Sequence, residues 1–185
     1  MSDTYRTIES VAEGVYKDKG SKFLAFAEPV ADVEEVRNKL SVYKKRYYDA
    51  RHICYAYMLG TDRLAWRAND DGEPAGTAGR PILGQINSRN LTNIMVVVVR
   101  YFGGILLGTG GLIVAYKSAA SDALEHATIV EKDVMQRKVL RFPYERMNEI
   151  MRLLKDTDSR IIHQEYGTEC VIECEIKQIY ESRFR

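Results

Sequence analysis

Paired cysteines, long apolar runs and an excess of one charge are all absent from this sequence. Its three cysteines are odd in number and lack metal-ligand spacing, so we expect reduced thiols rather than a disulfide framework. No stretch of about 18 apolar residues occurs, which excludes a hydrophobic transmembrane helix. The first residues are polar, so we expect no signal peptide, no membrane association and a cytoplasmic location.

Charge composition is almost balanced. The 27 basic and 26 acidic residues give a net charge of +1, which argues neither for nor against nucleic acid. The distribution of the basic residues therefore matters more than their sum. With 185 residues, the chain is long enough for one large domain or two small ones.

Glycines are concentrated in two stretches, residues 69–81 and 96–111, which hold eight of the thirteen. Glycine permits positive φ angles and close backbone approach, at an entropic cost that core packing alone rarely requires. We therefore expect the functional surface of the protein in these two stretches.

The second stretch joins a predicted strand to a predicted helix. Residues 94–99 are continuously apolar and β-branched, which predicts a central strand buried on both faces, and residues 110–127 predict a helix. Backbone N–H groups at a helix start that follows glycines form an anion site. The spacing matches neither a phosphate-binding Walker loop nor a dinucleotide fingerprint. A tight packing turn remains the alternative interpretation.

Basic and aromatic residues alternate over residues 44–52. Phosphate contacts combined with ring stacking suit RNA. The alternative is an amphipathic helix, capped by Asp32, with a solvated basic face and its tyrosines in the core. Together with the glycine-rich stretch, this segment gives one set of predicted anion- and nucleic-acid-binding residues: Lys44, Lys45, Arg46, Arg51, His52, Arg80, Arg100, Gly103, Gly104, Gly110 and Gly111.

Three carboxylates, Asp70, Asp71 and Glu73, lie in the first glycine-rich stretch. Such a cluster could bind Mg²⁺ or act as acid and base, and the alternative is a turn whose Asp side chains bond their own backbone. His52 and Cys54 are two residues apart, but no catalytic triad can be recognised from spacing. We therefore name no catalytic residue, no metal and no cofactor.

The glycines become sparse after residue 128, and a new pattern begins near residue 131. We expect a domain of residues 1–130 and a second domain of residues 131–185. The second follows a strand–helix–strand–strand order, with predicted elements at 134–142, 143–154, 160–166 and 171–176. A split βαβ unit would continue with a helix and a strand, so this domain is expected to be shortened.

Residues 70–79 followed by residues 100–112 closely resemble the glycine motifs of the YigZ/IMPACT family, and residues 52–57 and 115–116 fit its pattern as well. The resemblance covers residues 1–130. The remainder resembles the small C-terminal domain of the bacterial branch, which is similar to the last domain of elongation factor G.

The resemblance implies an α+β fold. The N-terminal domain would be like the second domain of a small-subunit ribosomal protein, with helices on one face of a sheet, and the second domain would be ferredoxin-like. Eukaryotic relatives act in translational control by binding a large ribosome-associated activator. They carry a different second domain, so that partner does not transfer. No catalytic residue set is established for the family.

Three functional hypotheses follow. The leading one is a non-catalytic cytoplasmic protein that contacts RNA or a ribosome-associated component in translational regulation. The alternative is an enzyme acting on a phosphorylated or anionic small molecule, which a pocket joining His52, Glu73 and Arg100, with a raised carboxyl pKa, would favour. The third is a protein-docking module, for which an exposed apolar patch at residues 101–106 would be the sign.

Overall fold

The computed structural model describes residues 2–185, which divide into two compact units. The larger unit comprises residues 6–131, and the smaller one combines residues 132–185 with the described residues up to Tyr5. Both contain sheets and helices, so the fold is mixed α and β. Among residues 2–185, no helix is both long and apolar enough to cross a bilayer.

Five strands form the antiparallel sheet of the larger unit, in the order β2-β3-β6-β4-β5. A separate two-stranded sheet pairs β1 with β7. The elements are β1 (Thr4–Ile8), β2 (Ala12–Asp18), β3 (Ser21–Pro29), α1 (Val33–Arg46), β4 (His52–Leu59), β5 (Ala65–Asn69), α2 (Gly79–Ser88), β6 (Ile94–Tyr101), α3 (Gly108–His126) and β7 (Ile129–Asp133).

The central strand β6 is buried on both faces, which confirms the prediction for residues 94–99. Val96 and Val98 belong to the core under α2 and α3, whereas Val97 and Val99 belong to the core under α1. The expectation of helices on one face is therefore wrong. A strand without a polar side needs a helix on each face to remove its valines from water.

Helix α1 begins where its sequence predicts. The Asp32 side chain accepts a hydrogen bond from the Glu35 N–H at 2.8 Å and caps the first turn. Val36, Leu40 and Tyr43 are buried against the sheet, in agreement with their helical spacing.

The N-terminal strand departs from its prediction. The loose alternation of apolar and polar residues over residues 6–15 predicts one strand, yet β1 and β2 are separate and pair in different sheets. One straight strand could not pair with both β7 and β3. Strand β5 was not predicted either, because it is short, largely exposed and lacks an apolar face.

In the smaller unit, the strands β8 (Met135–Phe142), β9 (Arg160–Glu165) and β10 (Cys170–Lys177) form an antiparallel sheet in the order β8-β10-β9. Helix α4 (Met147–Asp156) and two 3-10 segments, Tyr144–Arg146 and Gln178–Phe184, complete it. Alternate residues of β10, including both cysteines, are fully buried. Cys170 and Cys174 are free thiols that pack as small hydrophobic residues.

Helix α3 lies so close to β2 that Gly14 cannot carry a side chain. A Cβ at this position would lie 2.2 Å from the Ala123 backbone nitrogen. We expect Gly14→Ala to lower the free energy of unfolding by about 1–3 kcal/mol through overpacking. Gly84→Ala is the control, because Gly84 lies within α2 with nothing within 4 Å. It should raise that free energy by about 0.5–1 kcal/mol. Denaturant unfolding measures the free energy of unfolding of both variants. Equal changes in the two would disprove the close approach of α3 to β2.

Candidate functional site

A buried carboxylate lies at the centre of the larger unit. Glu73 is 8% exposed, and both of its oxygens are occupied. The Arg100 Nη1 donates to Oε1 at 2.9 Å and to Oε2 at 2.7 Å, and the Tyr116 hydroxyl donates to Oε2 at 2.5 Å. The His52 Nε2 lies 3.2 Å from Oε1. Three side chains that are distant from one another in the sequence therefore contact the same carboxylate group.

Three elements and one loop position this cluster. His52 is the first residue of β4 and pairs directly with Arg100 near the end of β6. Tyr116 projects from α3, and Glu73 comes from the loop between β5 and α2. The site thus depends on the antiparallel register of β4 with β6, and the sequence spacing does not reveal that register.

The loop that carries Glu73 is held in place by Asp70. Its Oδ1 accepts hydrogen bonds from the N–H groups of Ala78, at 3.1 Å, and Gly79, at 2.8 Å, and its Oδ2 accepts one from Gly76 at 3.0 Å. Helix α2 has no side-chain cap of its own at Ala78, so Asp70 caps it from eight residues upstream. Asp70 therefore has a structural role.

Burial raises the pKa of Asp70, but other effects outweigh it. Hydrogen bonds from the backbone N–H groups of Gly76, Gly79 and Ala78, together with the charge of Arg80, lower that pKa below its ordinary value. The carboxylate therefore stays ionised down to acidic pH, and it stabilises the loop in that form.

The three predicted carboxylates do not form one metal site. Asp70 caps the loop, the Oδ2 of Asp71 accepts the Ile53 N–H at 2.7 Å, and Glu73 is enclosed by Arg100 and Tyr116. Within residues 2–185, no three His, Cys, Asp or Glu side chains are grouped as metal ligands. The metal alternative for Asp70, Asp71 and Glu73 is therefore wrong.

Both ring nitrogens of His52 face hydrogen-bond acceptors. Nδ1 lies 2.6 Å from the Asp71 carbonyl oxygen, and Nε2 faces the Glu73 carboxylate. His52 therefore links the backbone of the Asp71 loop to the Glu73 carboxylate, which Arg100 also contacts.

Arg100 is 5% exposed, and its guanidinium lies against two aromatic rings. Its Cζ is 5.6 Å from the centre of the Phe23 ring and 5.5 Å from that of Phe102. The Nε is buried and has no hydrogen-bond partner. Because Arg100 is paired with Glu73, it does not present an open guanidinium at the surface, and its contact with the phosphate or carboxylate of a ligand stays a prediction. Arg100 supplies charge from beneath the surface.

A cavity of about 270 Å³ opens over this cluster. Arg51, His52, Glu73 and Arg100 line it, together with the first turn of α3. That turn begins at Gly108, with φ +73°, and no side chain caps it. Its unpaired N–H groups carry the partial positive charge of the helix start. The cavity wall is therefore positively charged on several sides.

The structure separates the predicted glycines by role. Gly103 is a packing residue, because a Cβ there would lie 2.1 Å from the Gly20 backbone, and its N–H donates to the Ser21 Oγ at 3.1 Å. The prediction of a free Gly103 amide is therefore wrong. Gly104 and Gly110 are exposed with nothing near their Cβ positions. Helix α3 begins at Gly108, two residues before the predicted Gly110. Gly108 and Thr109, and not Gly110, therefore line the cavity.

Other predicted cations lie outside the cavity. Lys44, Lys45 and Arg46 form the exposed last turn of α1, which covers the opposite face of the sheet from α3. Arg80 is exposed in the first turn of α2 and influences Asp70. Arg80 does not line the cavity that Arg100 lines.

Sequence reasoning assigned no role to Tyr116 or Cys54. The Cys54 Sγ lies 3.1 Å from the Asp70 carbonyl oxygen and 3.4 Å from the Tyr116 hydroxyl. Burial raises the pKa of the Cys54 thiol and that of the Tyr116 hydroxyl, so both stay protonated at neutral pH. Tyr116 could have been noticed as a lone aromatic residue among the small side chains of α3.

An apolar segment lies beside the cavity. Leu106 is 82% and Ile105 is 55% exposed, and Phe102 contacts Arg51 through its ring, with the Arg51 Cζ 5.1 Å from the ring centre. Exposed aliphatic side chains at the mouth of a charged cavity are typical of a surface that meets a partner.

Replacement of Asp70 should show how strongly this side chain holds the loop. We expect Asp70→Asn to cost about 1–2 kcal/mol of unfolding free energy near neutral pH, because an amide cannot accept all three N–H groups. The folded-state pKa lies below the ordinary 3.8, so this stabilisation is present above that value and is lost as the pH falls through the folded-state pKa. The difference from wild type should therefore shrink in acid.

Denaturant unfolding over a pH series measures this difference. Glu125→Gln, at an exposed position of α3, provides the control and should change little at any pH. A difference between wild type and Asp70→Asn that grows towards low pH would contradict the assignment.

Comparison with known proteins agrees with the motifs. The Impact N-terminal domain family matches residues 19–124. The IMPACT family member YvyE of Bacillus subtilis is 39% identical over 136 residues, which cover 74% of this chain and 63% of YvyE. The IMPACT family member YigZ of Escherichia coli is 38% identical over 150 residues, covering 80% of this chain and 74% of YigZ.

A crystal structure described as that of a hypothetical protein has the same fold over the whole chain. It is 32% identical, has a TM-score of 0.81, and its match covers 100% of this chain and 90% of that one. The match to YvyE spans less than two thirds of that relative's length. The glycine motifs, the matched domain and these relatives together show that the chain belongs to the IMPACT family.

Proposed function

We propose that this chain is a non-catalytic cytoplasmic protein that contacts RNA or a ribosome-associated component in translational regulation. The cavity beside α3 would receive an anionic group of that partner. The observation that carries the proposal is that two arginines, Arg51 and Arg100, line one cavity with a single carboxylate, that of Glu73. This leaves a positive charge beneath an uncapped helix start.

The charge acts where water is scarce. Arg100 and Glu73 are both buried, so the cluster charge is screened less than a surface charge would be. Arg51, at the cavity mouth, is exposed and adds a further cation. An incoming anion would therefore meet a guanidinium at the entrance and helix N–H groups further in.

The size of the cavity favours a compact group. At about 270 Å³, it accommodates the end of a ligand more readily than a continuous chain. A terminal phosphate has two negative charges and free oxygens on one side, whereas a phosphodiester is flanked by nucleotides. We therefore propose a terminal phosphate, or a carboxylate, as the group that enters.

Four further features support a partner in translation. The strand order β8-β10-β9 supports a ferredoxin-like smaller domain, similar to the last domain of elongation factor G. The larger domain would be like the second domain of a small-subunit ribosomal protein. The eukaryotic relatives implied by the resemblance act in translational control, and the exposed Lys44, Lys45 and Arg46 would offer a separate RNA contact.

A short single-stranded RNA tests the cavity, with and without a 5′ phosphate. We expect the phosphorylated RNA to bind about tenfold more tightly at low salt, because a charge-assisted contact is worth about 1.5–3 kcal/mol. Arg51→Gln should remove most of this preference. Fluorescence titration over a salt series measures it.

The control is Arg67→Gln, at an exposed arginine of β5 in the same unit. This variant should keep the preference for the 5′ phosphate. If Arg51→Gln and Arg67→Gln reduce it equally, the cavity is not the binding site. If wild type does not distinguish the two RNAs, the terminal-phosphate proposal is wrong.

The convergence of His52, Glu73 and Tyr116 favours a second function, an enzyme acting on a phosphorylated or anionic small molecule. Hydrogen bonds connect the three, so a proton could be moved between His52 and the Glu73 carboxylate. The sequence-based alternative required one pocket that holds His52, Glu73 and Arg100, and these three residues line the cavity.

The two functions differ in turnover. With a panel of phosphate monoesters, our leading proposal expects binding without release of inorganic phosphate. An enzyme would release phosphate repeatedly, and both Glu73→Gln and Tyr116→Phe would lower its rate by at least about tenfold, the lower range for a lost proton-transfer group. Phosphorus NMR follows the reaction, and sustained wild-type turnover with that mutant pattern would overturn the non-catalytic assignment.

A further inference from the structure

A second charged groove lies entirely within the smaller unit. Strand β8, helix α4 and the residues from 183 onward line it, and its volume is about 610 Å³. Five arginines line the groove, against two carboxylates: Arg141, Arg146, Arg152, Arg183 and Arg185. The whole chain has a net charge of only +1, so this is a strong local concentration of positive charge.

Three of these arginines have no carboxylate partner. Arg141, Arg152 and Arg183 are exposed and form no ion pair with any described residue. Arg146, by contrast, is held by two hydrogen bonds from its guanidinium to Glu149, at 3.0 and 3.1 Å. The Arg183 Cζ lies 5.9 Å from the centre of the Tyr180 ring, a contact that uses the face of the guanidinium and not its N–H donors. The N–H donors of the three guanidinium groups are therefore available to an incoming anion, and each group can bind a phosphate through two parallel N–H donors.

Apolar side chains form part of the groove surface between the arginines. Leu140, Phe142 and Ile150 line it and belong to the small core or pack against it. Phe184 also packs against that core and lies between Arg183 and Arg185 in the chain. This anchor fixes the position of a segment that carries two of the five cations.

Apolar side chains between arginines fit a single nucleic-acid strand. Each nucleotide brings one phosphate for a guanidinium and one base with a flat apolar face. A duplex would present phosphates but keep its bases stacked inside, so the apolar side chains would stay uncovered. An acidic peptide would need an unbroken acidic run to match the cations, and it would then leave the apolar side chains uncovered.

We propose that this groove binds a short stretch of single-stranded nucleic acid. Arg141, Arg152 and Arg183 hold successive phosphates, and the bases lie against the apolar side chains. The groove and the cavity beside α3 share no residue. The groove would thus add a strand-binding surface to a protein whose other site takes a terminal group.

The test uses a short RNA with a 5′ hydroxyl, so that the terminal-phosphate cavity does not contribute the effect measured. Binding is followed by fluorescence over a salt series for wild type and for the double variant Arg152→Gln/Arg183→Gln. We expect about tenfold weaker binding at low salt, and a plot of log affinity against log salt that is shallower by about 1.4.

Arg137→Gln/Arg160→Gln is the matched control. Both arginines are exposed in the same unit outside the groove, and each is paired, Arg137 with Glu173 at 3.3 Å and Arg160 with Glu175 at 2.8 Å. This variant removes the same charge, and we expect it to change the affinity less than threefold, well below the groove effect. Thermal unfolding should show all three proteins folded, since every substituted side chain is exposed.

Equal loss in the two double variants would show that net charge alone drives binding, and it would overturn the proposal. Unchanged binding in the groove variant, or no binding by wild type, would overturn it as well. Uridine triphosphate is added as a competitor. If it displaces the RNA at equal concentration, the groove is a site for a free nucleotide and the strand assignment is wrong. The 5′-phosphate preference is a separate measurement, so either proposal can fail alone.

Discussion

The Glu73 carboxylate is the constraint that connects the parts of the larger unit. It accepts hydrogen bonds from β6 through Arg100 and from α3 through Tyr116, and His52 of β4 faces it. Removing any one partner would leave a buried charge incompletely satisfied, which is costly in a low-dielectric interior. The loop, the sheet and α3 are therefore held together by one charge.

The same interaction determines the sign of the electrostatic charge at the cavity. The Glu73 carboxylate can neutralise only one of the two arginines that line the cavity, Arg51 and Arg100, so a positive charge remains beside the start of α3. The exposed Ile105 and Leu106 place an apolar surface beside this charge. A partner with an anionic end and some apolar surface would match both features.

Parts of the fold follow directly from local sequence. The continuous valines of β6 predicted burial on both faces, and Asp32 predicted the start of α1, because each signal lies within one element. The division of residues 6–15 into two strands escaped prediction, because it depends on pairing with β7 and β3. The helices on both faces were likewise missed, although the unbroken apolar run of β6 already required them.

The sequence by itself determined the family, through two long glycine motifs, and the set of polar residues from which a site could be built. Only the tertiary structure decided which of them meet. The register between β4 and β6 brings His52 next to Arg100, and the Asp70 cap holds the loop that carries Glu73. The Gly103 N–H, by contrast, is already bonded to Ser21 at the β2–β3 turn. The reason is physical: charge pairing depends on distance in space, which sequence spacing does not give when the partners come from different strands.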